Sequence, residues 1–379
     1  MLIGIDAHNL EGKRTGVGRY LFNLLHEWSK LKTTNVKFVL YFKDEIPADM
    51  PQSDFFECKL LKVGSTAKFI HWDLPRATQE DKVDILFCPA YVAPLCYRGK
   101  IALALHDISY EARPKEFNWP SLLADKILLK WVSRKSAKKA DIIFTPSEFS
   151  RQEVIKHYGV STAKIIVASL GVDAEFSLRH GLDNSAEKIK ELKKRYGIGD
   201  KFIFFVGSIF TRRHLPEVIG AFGRLTKDRP DYQLLLGGKD YTQSQSVNGL
   251  VEKVNAEFGR QAILRVDFIN DLELKLLYSA CAFFIWLSDY EGFGLPPLEA
   301  MSLGAPVITT DGSSLREVAG QAALLIKNNS DVDEIYQAME RIISDEILRT
   351  ELINKGRDQV GKFSWKNCAA ETLTALLGP

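Results

Sequence analysis

The sequence lacks the features that identify disulfide-bonded, membrane-spanning and nucleic-acid-binding proteins. Its five cysteines are odd in number, widely spaced and without a C-x-x-C pair, so they predict neither a disulfide framework nor a zinc site and favour a reducing compartment. No apolar run approaches the about 20 residues of a membrane-spanning helix, and the N-terminus shows no basic leader. Basic residues exceed acidic ones by only two, 50 against 48, which excludes the strong positive field of a nucleic-acid binder. We therefore expect a cytoplasmic protein without a nucleic-acid partner.

The size and composition are those of a globular enzyme with two domains. The chain has 379 residues, of which 46% are hydrophobic and 26% charged. This length exceeds one ordinary core and suits two α/β domains, which implies a cleft between them. Short-period repeats and low-complexity segments are absent, so solenoids and propellers are excluded.

Short apolar runs alternate with amphipathic stretches in both halves of the chain. This alternation predicts parallel sheets covered by helices, and two Rossmann-like domains are its simplest interpretation. The apolar positions of one early helix share a face: Tyr20, Leu21, Leu24, Leu25 and Trp28. The predicted strands are 2–5, 37–41, 85–88, 101–105, 142–145, 202–206, 232–236, 263–268, 282–286, 306–310 and 323–326.

A polar and charged stretch separates the two series of strands. It begins at about Ser177 and continues through the Lys/Glu run 187–195. We place the domain boundary there, with 1–176 in the first domain and 177–362 in the second. Ser147 and Ser364 are the predicted N-caps of two helices.

The loop after strand 282–286 carries the strongest chemical signal. Glu291 and Glu299 bracket a loop with Gly292 and Gly294 that runs into a helix with two prolines in its first turn. Ligands of open α/β sheets bind at the carboxyl ends of strands, and the amides at a helix start suit a phosphate or sugar hydroxyls. Carboxylates accept hydrogen bonds from vicinal hydroxyls. By spacing alone, an ordinary pair of surface glutamates is the equal alternative.

Two arginines lie in a loop at a second strand end of the same domain. Arg212 and Arg213 follow strand 202–206 and precede a helix, so they are placed to neutralise a diphosphate. The alternative interpretation is a pair of solvated loop arginines without a functional role. His214 has no assignable role.

No metal site or cofactor is expected. Asp331-Val-Asp333 matches the Asp-x-Asp string of other sugar-transferring enzymes, but it lies where a helix starts, and acidic residues are ordinary caps there. No His, Asp and Cys cluster has ligand spacing.

The region Ser288–Ile308 closely resembles the signature of retaining GT-B glycosyltransferases of family GT4. It contains Glu-Gly-Phe-Gly-Leu-Pro, the second glutamate and Ala-Met-Ser-Leu-Gly-Ala-Pro-Val-Ile. Weaker matches occur through the rest of the chain: Gly16-Val-Gly18, His106-Asp107, Pro146-Ser147, Gly171-Val-Asp173, Phe205-Val-Gly-Ser208 and Phe363-Ser-Trp365. The resemblance implies the GT-B fold, in which the sheets of two Rossmann-like domains face a central cleft. It also implies that a last helix, 363–379, returns to the N-terminal domain.

The resemblance assigns roles to particular residues. It implies that a nucleotide diphosphate sugar binds the C-terminal domain, where Glu291 contacts the transferred sugar and Glu299 the ribose. The implied contacts of sugar and phosphate are the loop amides of Gly292, Phe293, Gly294 and Leu295. The family usually has Arg then Lys where this chain has Arg212 and Arg213. Gly16 and Gly18 are not a dinucleotide fingerprint, because the third glycine position is Leu21; the resemblance instead places them at the donor diphosphate.

His106 after strand 101–105 is the implied contact of the donor sugar from the N-terminal side. A lone histidine in this position is more often structural, and only the resemblance reverses that expectation. The sequence offers no convincing covalent nucleophile, so the implied reaction is a same-face substitution in which the enzyme orients its substrates and stabilises charge.

Three alternatives share this architecture. A nucleotide-sugar epimerase would need no acceptor, a non-catalytic binder would not need His106 and the paired arginines, and a pyridoxal-phosphate phosphorylase would need a cofactor lysine motif that is not recognisable here. The base is expected near 266–269, and GDP-mannose is the donor that general likeness suggests. The acceptor is a saccharide or lipid-linked glycan.

The stretch 122–139 is basic and amphipathic. Lys126, Lys130, Arg134 and Lys138 recur every four residues, and the other face carries Leu123, Ile127, Leu128, Trp131 and Val132. One interpretation is a helix that lies on an anionic membrane, which would make the protein peripheral at the inner membrane face. The other is a surface helix whose apolar face packs on its own sheet.

Overall fold

The protein forms two compact units. The computed structural model describes residues 1–14, 16–32, 35–114, 123–173, 176, 185–242 and 247–378. The N-terminal unit consists of Met1–Gly171 together with Phe363–Pro379, and the C-terminal unit of Val172–Lys362. The predicted boundary, after residue 176, therefore lies five residues beyond the observed one, which falls between Gly171 and Val172. The polar residues 177–184 lie outside the described part of the chain.

The N-terminal unit is built on one parallel sheet of seven strands in the order β3-β2-β1-β4-β5-β6-β7. Its central strands are nearly continuous apolar runs because helices cover both faces of such a sheet. The five strands predicted for this half are present within one or two residues. Two strands were missed, and they are the edge strands β3 and β7, which are partly exposed or only three residues long. The strands are β1 Leu2–Asp6, β2 Lys37–Phe42, β3 Phe56–Leu60, β4 Ile85–Cys88, β5 Lys100–Ala104, β6 Ile142–Thr145 and β7 Ile165–Val167.

The helices of this unit confirm the predicted face and cap. Tyr20, Leu21, Leu24, Leu25 and Trp28 of α1 are all at most 2% exposed. The Ser147 side chain accepts a hydrogen bond from the Ser150 amide at the start of α6. The helices are α1 Gly16–Ser29, α2 Thr66–Lys68, α3 Leu74–Glu80, α4 Ser109–Ala112, α5 Leu123–Lys139 and α6 Glu148–Tyr158, with a π-helical turn at Phe69–Asp73.

The C-terminal unit has a second parallel sheet, of six strands in the order β10-β9-β8-β11-β12-β13. The chain winds outward from β8 on one side and from β11 on the other, so a crevice forms at the carboxyl ends of these two neighbours. The strands are β8 Lys201–Val206, β9 Tyr232–Gly237, β10 Ile263–Val266, β11 Phe283–Trp286, β12 Val307–Thr310 and β13 Ala323–Ile326. The predicted strand 263–268 thus ends two residues early.

Helices cover this second sheet. The acidic pair that resembled a metal motif is a cap, as predicted, because the Asp331 side chain accepts hydrogen bonds from the amides of Asp333 and Glu334. The Lys/Glu run 187–195, part of the polar stretch at the predicted domain boundary, is helical. The helices are α7 Ser185–Tyr196, α8 Leu215–Asp228, α9 Val247–Phe258, α10 Asp271–Ala280, α11 Leu295–Ser302, α12 Ser313–Ala319, α13 Val332–Ser344 and α14 Glu346–Val360.

The last helix, α15 (Trp365–Leu377), belongs to the N-terminal unit. Ser364 caps it, since its side chain accepts from the Asn367 amide, which confirms the predicted cap. The helix packs against α1, where the indole nitrogen of Trp28 donates to the carbonyl of Ala369 at 3.0 Å.

Candidate functional site

The loop after β11 is held by hydroxyl groups. The Ser288 hydroxyl donates to Oε1 of Glu291 at 2.8 Å. The Ser314 hydroxyl lies within hydrogen-bond distance of the carbonyls of Glu291, at 2.8 Å, and Phe293, at 2.7 Å. These contacts fix both the backbone and the carboxylate of Glu291, whose side chain keeps 17% of its surface exposed.

Gly294 makes the turn from this loop into α11. Its φ of +119° is rarely adopted by residues with a side chain, and an added Cβ would lie 2.8 Å from Leu315. Helix α11 begins at Leu295 with proline in its first turn. Because the first amides of a helix have no acceptor within it, the amide of Leu295 is placed to meet an anion, whereas Pro296 and Pro297 have no N–H. Phe293 itself is buried at 5% exposure.

Arg212 and Arg213 meet Glu291 at the crevice between β8 and β11. Nη1 of Arg213 lies 2.5 Å from Oε1 of Glu291, and Nε of Arg212 lies 3.8 Å from the same oxygen. The Arg213 guanidinium stacks 3.9 Å above the ring of Trp286, and that of Arg212 lies 4.6 Å from the ring centre of Phe210. The structure therefore brings together the predicted arginines and the predicted carboxylate, with Arg213 nearly buried rather than solvated.

Glu299 is also inside the unit. It lies on α11 and is 3% exposed, and the Tyr278 hydroxyl donates to Oε2 at 3.4 Å. Glu299 is therefore not a surface glutamate, and Glu291 is only partly exposed. A buried carboxylate needs hydrogen-bond donors, so Glu299 is a candidate acceptor for ligand hydroxyls.

His214, to which the sequence gave no role, lies at the same crevice. Its Nε2 is 2.8 Å from Oδ2 of Asp289, which ties the loop after β8 to the loop after β11. Burial acts to lower the pKa of His214, but hydrogen bonds to Asp289 and Glu217 outweigh it and raise the pKa to about 9. Its position next to Arg213 was the one sequence feature that could have suggested a role for His214. Nothing in the sequence indicates that it pairs with Asp289.

His106 follows β5 in the N-terminal unit. Its Nε2 donates to the carbonyl of Pro89 at 2.9 Å, and its ring packs edge-on against Tyr20 with centroids 4.5 Å apart. Burial lowers the pKa of His106, although the Pro89 carbonyl opposes this. The imidazole is therefore neutral at pH 7 with its hydrogen on Nε2, and Nδ1 is its acceptor.

The two predicted glycines of α1 differ in their surroundings. An added Cβ on Gly18 would lie 2.5 Å from the carbonyl of Asn9, so this residue is a glycine for packing reasons. An added Cβ on Gly16 would meet nothing within 4 Å, so no protein contact explains that glycine. Nearby, at the end of β1, Nδ1 of His8 lies 2.5 Å from the buried carboxylate of Asp6, a pair that sequence reasoning missed.

The basic helix α5 fits neither interpretation completely. Ile127, Leu128 and Trp131 are 60%, 56% and 52% exposed, so these apolar residues do not pack on the sheet. Val132 is buried, and Leu123 lies where side chains are not described. In the basic stripe, Arg134 contacts Glu111 and the carbonyl of His157, whereas Lys126, Lys130 and Lys138 remain at least partly exposed.

The part of the chain that the structure describes contains neither a metal-binding group of side chains nor a membrane-spanning helix. Within those ranges, no three His, Cys, Asp or Glu side chains are placed to hold an ion. The helices of the same ranges include none that is long and apolar enough to cross a membrane.

Comparison with known proteins identifies the fold and the family. The structure of WaaG, a glycosyltransferase involved in lipopolysaccharide biosynthesis, superposes with a TM-score of 0.72 over all of both chains at 16% identity. A structure of Anabaena HepE in complex with UDP-glucose gives 0.70 over 99% of both chains at 15% identity. Two parallel sheets with covering helices, matched over this length, define the GT-B fold.

Sequence profiles of two families match successive parts of the chain. The family described as Glycosyltransferase Family 4 matches residues 14–176, and that described as Glycosyl transferases group 1 matches 188–359. The chain belongs to the GT4-type glycosyltransferases.

Two Escherichia coli relatives are mannosyltransferases by name. The serotype-specific mannosyltransferase WbdA is 34% identical over 245 residues, which is 63% of this chain and 29% of WbdA. The O-antigen chain mannosyltransferase B is 31% identical over 242 residues, 64% of this chain and 61% of that protein. The chain thus matches less than a third of the length of WbdA.

Proposed function

We propose that the protein is a retaining hexosyltransferase that moves mannose from a nucleotide diphosphate sugar to a glycan or lipid-linked acceptor. One observation carries the proposal: Arg212, Arg213 and Glu291 meet at the β8/β11 crevice beside the start of α11. This arrangement offers two guanidinium groups and the Leu295 amide at the start of α11 to a diphosphate, and a carboxylate to the adjoining sugar. The names of the WbdA and mannosyltransferase B relatives support mannose.

The proposed reaction is a same-face substitution. The bond from the anomeric carbon to the diphosphate oxygen breaks, the acceptor oxygen bonds to that carbon from the same face, and the departing oxygen takes the acceptor proton. Arg212 and Arg213 neutralise the charge that develops on the diphosphate, so the reaction requires no metal ion or cofactor. Glu291 is already engaged by Arg213 and Ser288, a setting that favours orienting the sugar over attacking it.

The remaining donor contacts in the proposal are those that the family resemblance implies. They are the loop of Gly292, Phe293, Gly294 and Leu295 for sugar and phosphate, Glu299 for the ribose, and His106 and Gly16 for the donor. Gly18 is needed for packing in the N-terminal unit.

A panel of donors tests the proposal. Calorimetry with GDP-, UDP-, ADP- and TDP-sugars is expected to find one base that binds, and GDP-mannose is the first candidate. Since a ligand that binds the native state raises its stability, the donor that binds should also raise the Tm. With that donor and a mannose-terminated glycan, NMR of the product should show the donor's anomeric configuration, and EDTA should leave the rate unchanged. An inverted product or transfer that stops in EDTA would contradict the mechanism, and epimerisation without an acceptor would contradict the activity.

We also propose that α5 brings the N-terminal unit to an anionic membrane surface, where a lipid-linked acceptor would be presented. Exposed Trp131, Ile127 and Leu128 beside lysines support it. The variant K126E/K130E/K138E should lose co-sedimentation with vesicles containing anionic phospholipid. The matched control K188E/K190E/K194E changes the same charge on α7 and should retain it. Equal binding of both variants, or no binding of the wild type, contradicts a membrane role for α5.

A further inference from the structure

His214 lies at the start of α8 and connects it to a different loop. Its backbone is in the left-handed region, with φ of +52°, and its imidazole turns toward the loop after β11. There Nε2 meets Oδ2 of Asp289 at 2.8 Å. The backbone repeats the link, because the amide of Asp289 donates to the carbonyl of Arg212 at 3.1 Å. The two loops are therefore joined twice within three residues of Arg213 and Glu291.

The connection extends to a third loop. Oδ1 of Asp289 accepts from Nδ2 of Asn329, after β13, at 2.9 Å. Oδ1 of Asn329 accepts from the Thr310 hydroxyl at 2.8 Å, and that hydroxyl accepts from the Ser288 amide at 2.9 Å. The hydrogen bond from Asn329 thus holds the Asp289 carboxylate independently of His214. Rotating that carboxylate away from His214 would break a largely buried hydrogen-bond network.

The charges around His214 favour the imidazolium form. Asp289 faces it from the loop after β11, and Oε1 of Glu217 on α8 lies 3.7 Å from Nδ1. The cations in its own turn, Arg212 and Arg213, are paired with Glu291. Burial opposes the charge, yet the two carboxylates raise the pKa to about 9. His214 is therefore charged at neutral pH.

We propose that His214 and Asp289 are positioning residues for donor binding, which hold Arg212 and Arg213 against the sugar-binding loop so that both guanidinium groups meet the diphosphate. This inference rests on the proposed function and adds to it a residue pair that touches no substrate. Holding the arginines in place before binding avoids the entropy cost of ordering them when the donor arrives.

The proposal has a pH signature. Because the pKa of His214 in the folded protein is raised, the ion pair is present at neutral pH and is lost as the pH rises through about 9. Its contribution to folding stability is complete below the ordinary histidine pKa of about 6.5. Arginines keep their charge in this range. Donor affinity should therefore weaken on the alkaline side although the phosphate-binding groups themselves do not change.

Two substitutions separate the charge from the hydrogen bond. His214→Gly keeps the left-handed backbone and removes the link, whereas His214→Gln carries an amide nitrogen at about the reach of Nε2 and can donate to Asp289 without a charge. Lys239, which lies on the next loop and stacks on Tyr241, provides the control substitution Lys239→Ala.

The test is calorimetry of GDP binding from pH 6 to pH 10, with UDP, ADP and TDP in parallel, at a temperature well below each variant's Tm. At pH 7 we expect His214→Gly and Asp289→Ala to weaken binding about tenfold, the loss of one charge-assisted hydrogen bond, and His214→Gln to weaken it less. Above pH 9 the wild type should lose affinity relative to His214→Gln, and ionisation of the base cancels in that comparison. In assays of transfer, KM should rise more than kcat falls.

The outcomes distinguish the two proposals. If the wild type binds none of the four diphosphates, the proposed function fails and this inference fails with it. If the wild type binds one of them and His214→Gly binds it equally well with only a lower Tm, the pair is merely structural and the inference alone is overturned. An alkaline loss of affinity that His214→Gln shares also overturns it.

Discussion

The carboxyl edges of the two sheets are built in different ways. In the C-terminal unit, ion pairs join neighbouring loops: Arg213 to Glu291 and His214 to Asp289. In the N-terminal unit, His106 is neutral and is fixed by a backbone carbonyl and an aromatic ring. The first edge joins its loops through charge, whereas the second, at His106, offers shape and a single acceptor, its His8–Asp6 pair lying at the end of β1. If both serve one reaction, charge substitutions in the C-terminal unit should have the larger effects.

The largest effect is expected from Glu291→Gln. The change keeps the size of the side chain and the hydrogen bond from Ser288, but it removes the charge that Arg213 and the developing sugar cation would meet. We expect kcat to fall roughly 10²–10³-fold, the range seen when one electrostatic contact to a transition state is removed. Steady-state kinetics measure kcat, and calorimetry with the donor should give a Kd within a few fold of the wild type. Wild-type turnover would refute the assignment.

A smaller effect is expected at Arg213, on binding. Arg213→Ala should weaken nucleoside diphosphate binding about 10- to 100-fold, since a charge-assisted hydrogen bond contributes about 1.5–3 kcal/mol. Arg213→Lys should retain most of the affinity because it keeps the charge, although it loses the bidentate geometry. Calorimetry with the diphosphate measures both.

The control for Arg213 is Arg224→Ala on α8, which removes a guanidinium that pairs with Asp333 away from the site. It should bind like the wild type. Equal losses in the Arg213 and Arg224 variants would mean that the effect is one of overall charge.

The smallest effect is expected at His106. His106→Gln should lower kcat/KM about tenfold or less, as for one neutral hydrogen bond. Because the pKa of His106 is lowered, the wild type should keep the proposed contact between the neutral imidazole and the donor sugar until the pH falls below the ordinary histidine pKa of about 6.5. Unfolding becomes easier over the same acid range, since the unfolded chain binds a proton that the folded one resists.

The His106 prediction is checked by measuring kcat/KM as a function of pH for the wild type and for His106→Gln. The acid limb of this profile should be present in the wild type and absent in His106→Gln. A loss at His106 larger than at Glu291 would reverse the comparison between the two edges.

The sequence predicted the elements that local chemistry determines. Central strands are long apolar runs, and the caps Ser147, Ser364 and Asp331 precede their helices directly, so each is visible in a short segment. The edge strands β3 and β7 were missed because partial exposure breaks the apolar run. The predicted strand 263–268 was too long because the apolar Phe268 was taken as part of the buried run, whereas it is 63% exposed.

The site was predictable where one motif contains it and not where distant loops meet. Glu291, Gly294 and Glu299 lie within nine residues. The pairing of His214 with Asp289 spans 75 residues and depends on β8 and β11 being neighbours in the sheet. No pattern in the sequence sets that distance.

Trp286 gives the protein a built-in optical signal. Its indole lies between the ring of Phe205, 5.3 Å away, and the guanidinium of Arg213 at 3.9 Å. Fluorescence of an indole depends on the charges beside it, so any anion that draws Arg213 toward itself changes the emission of this residue. The difference in emission between the wild type, which has six tryptophans, and Trp286→Phe isolates that change and reports occupancy without a label.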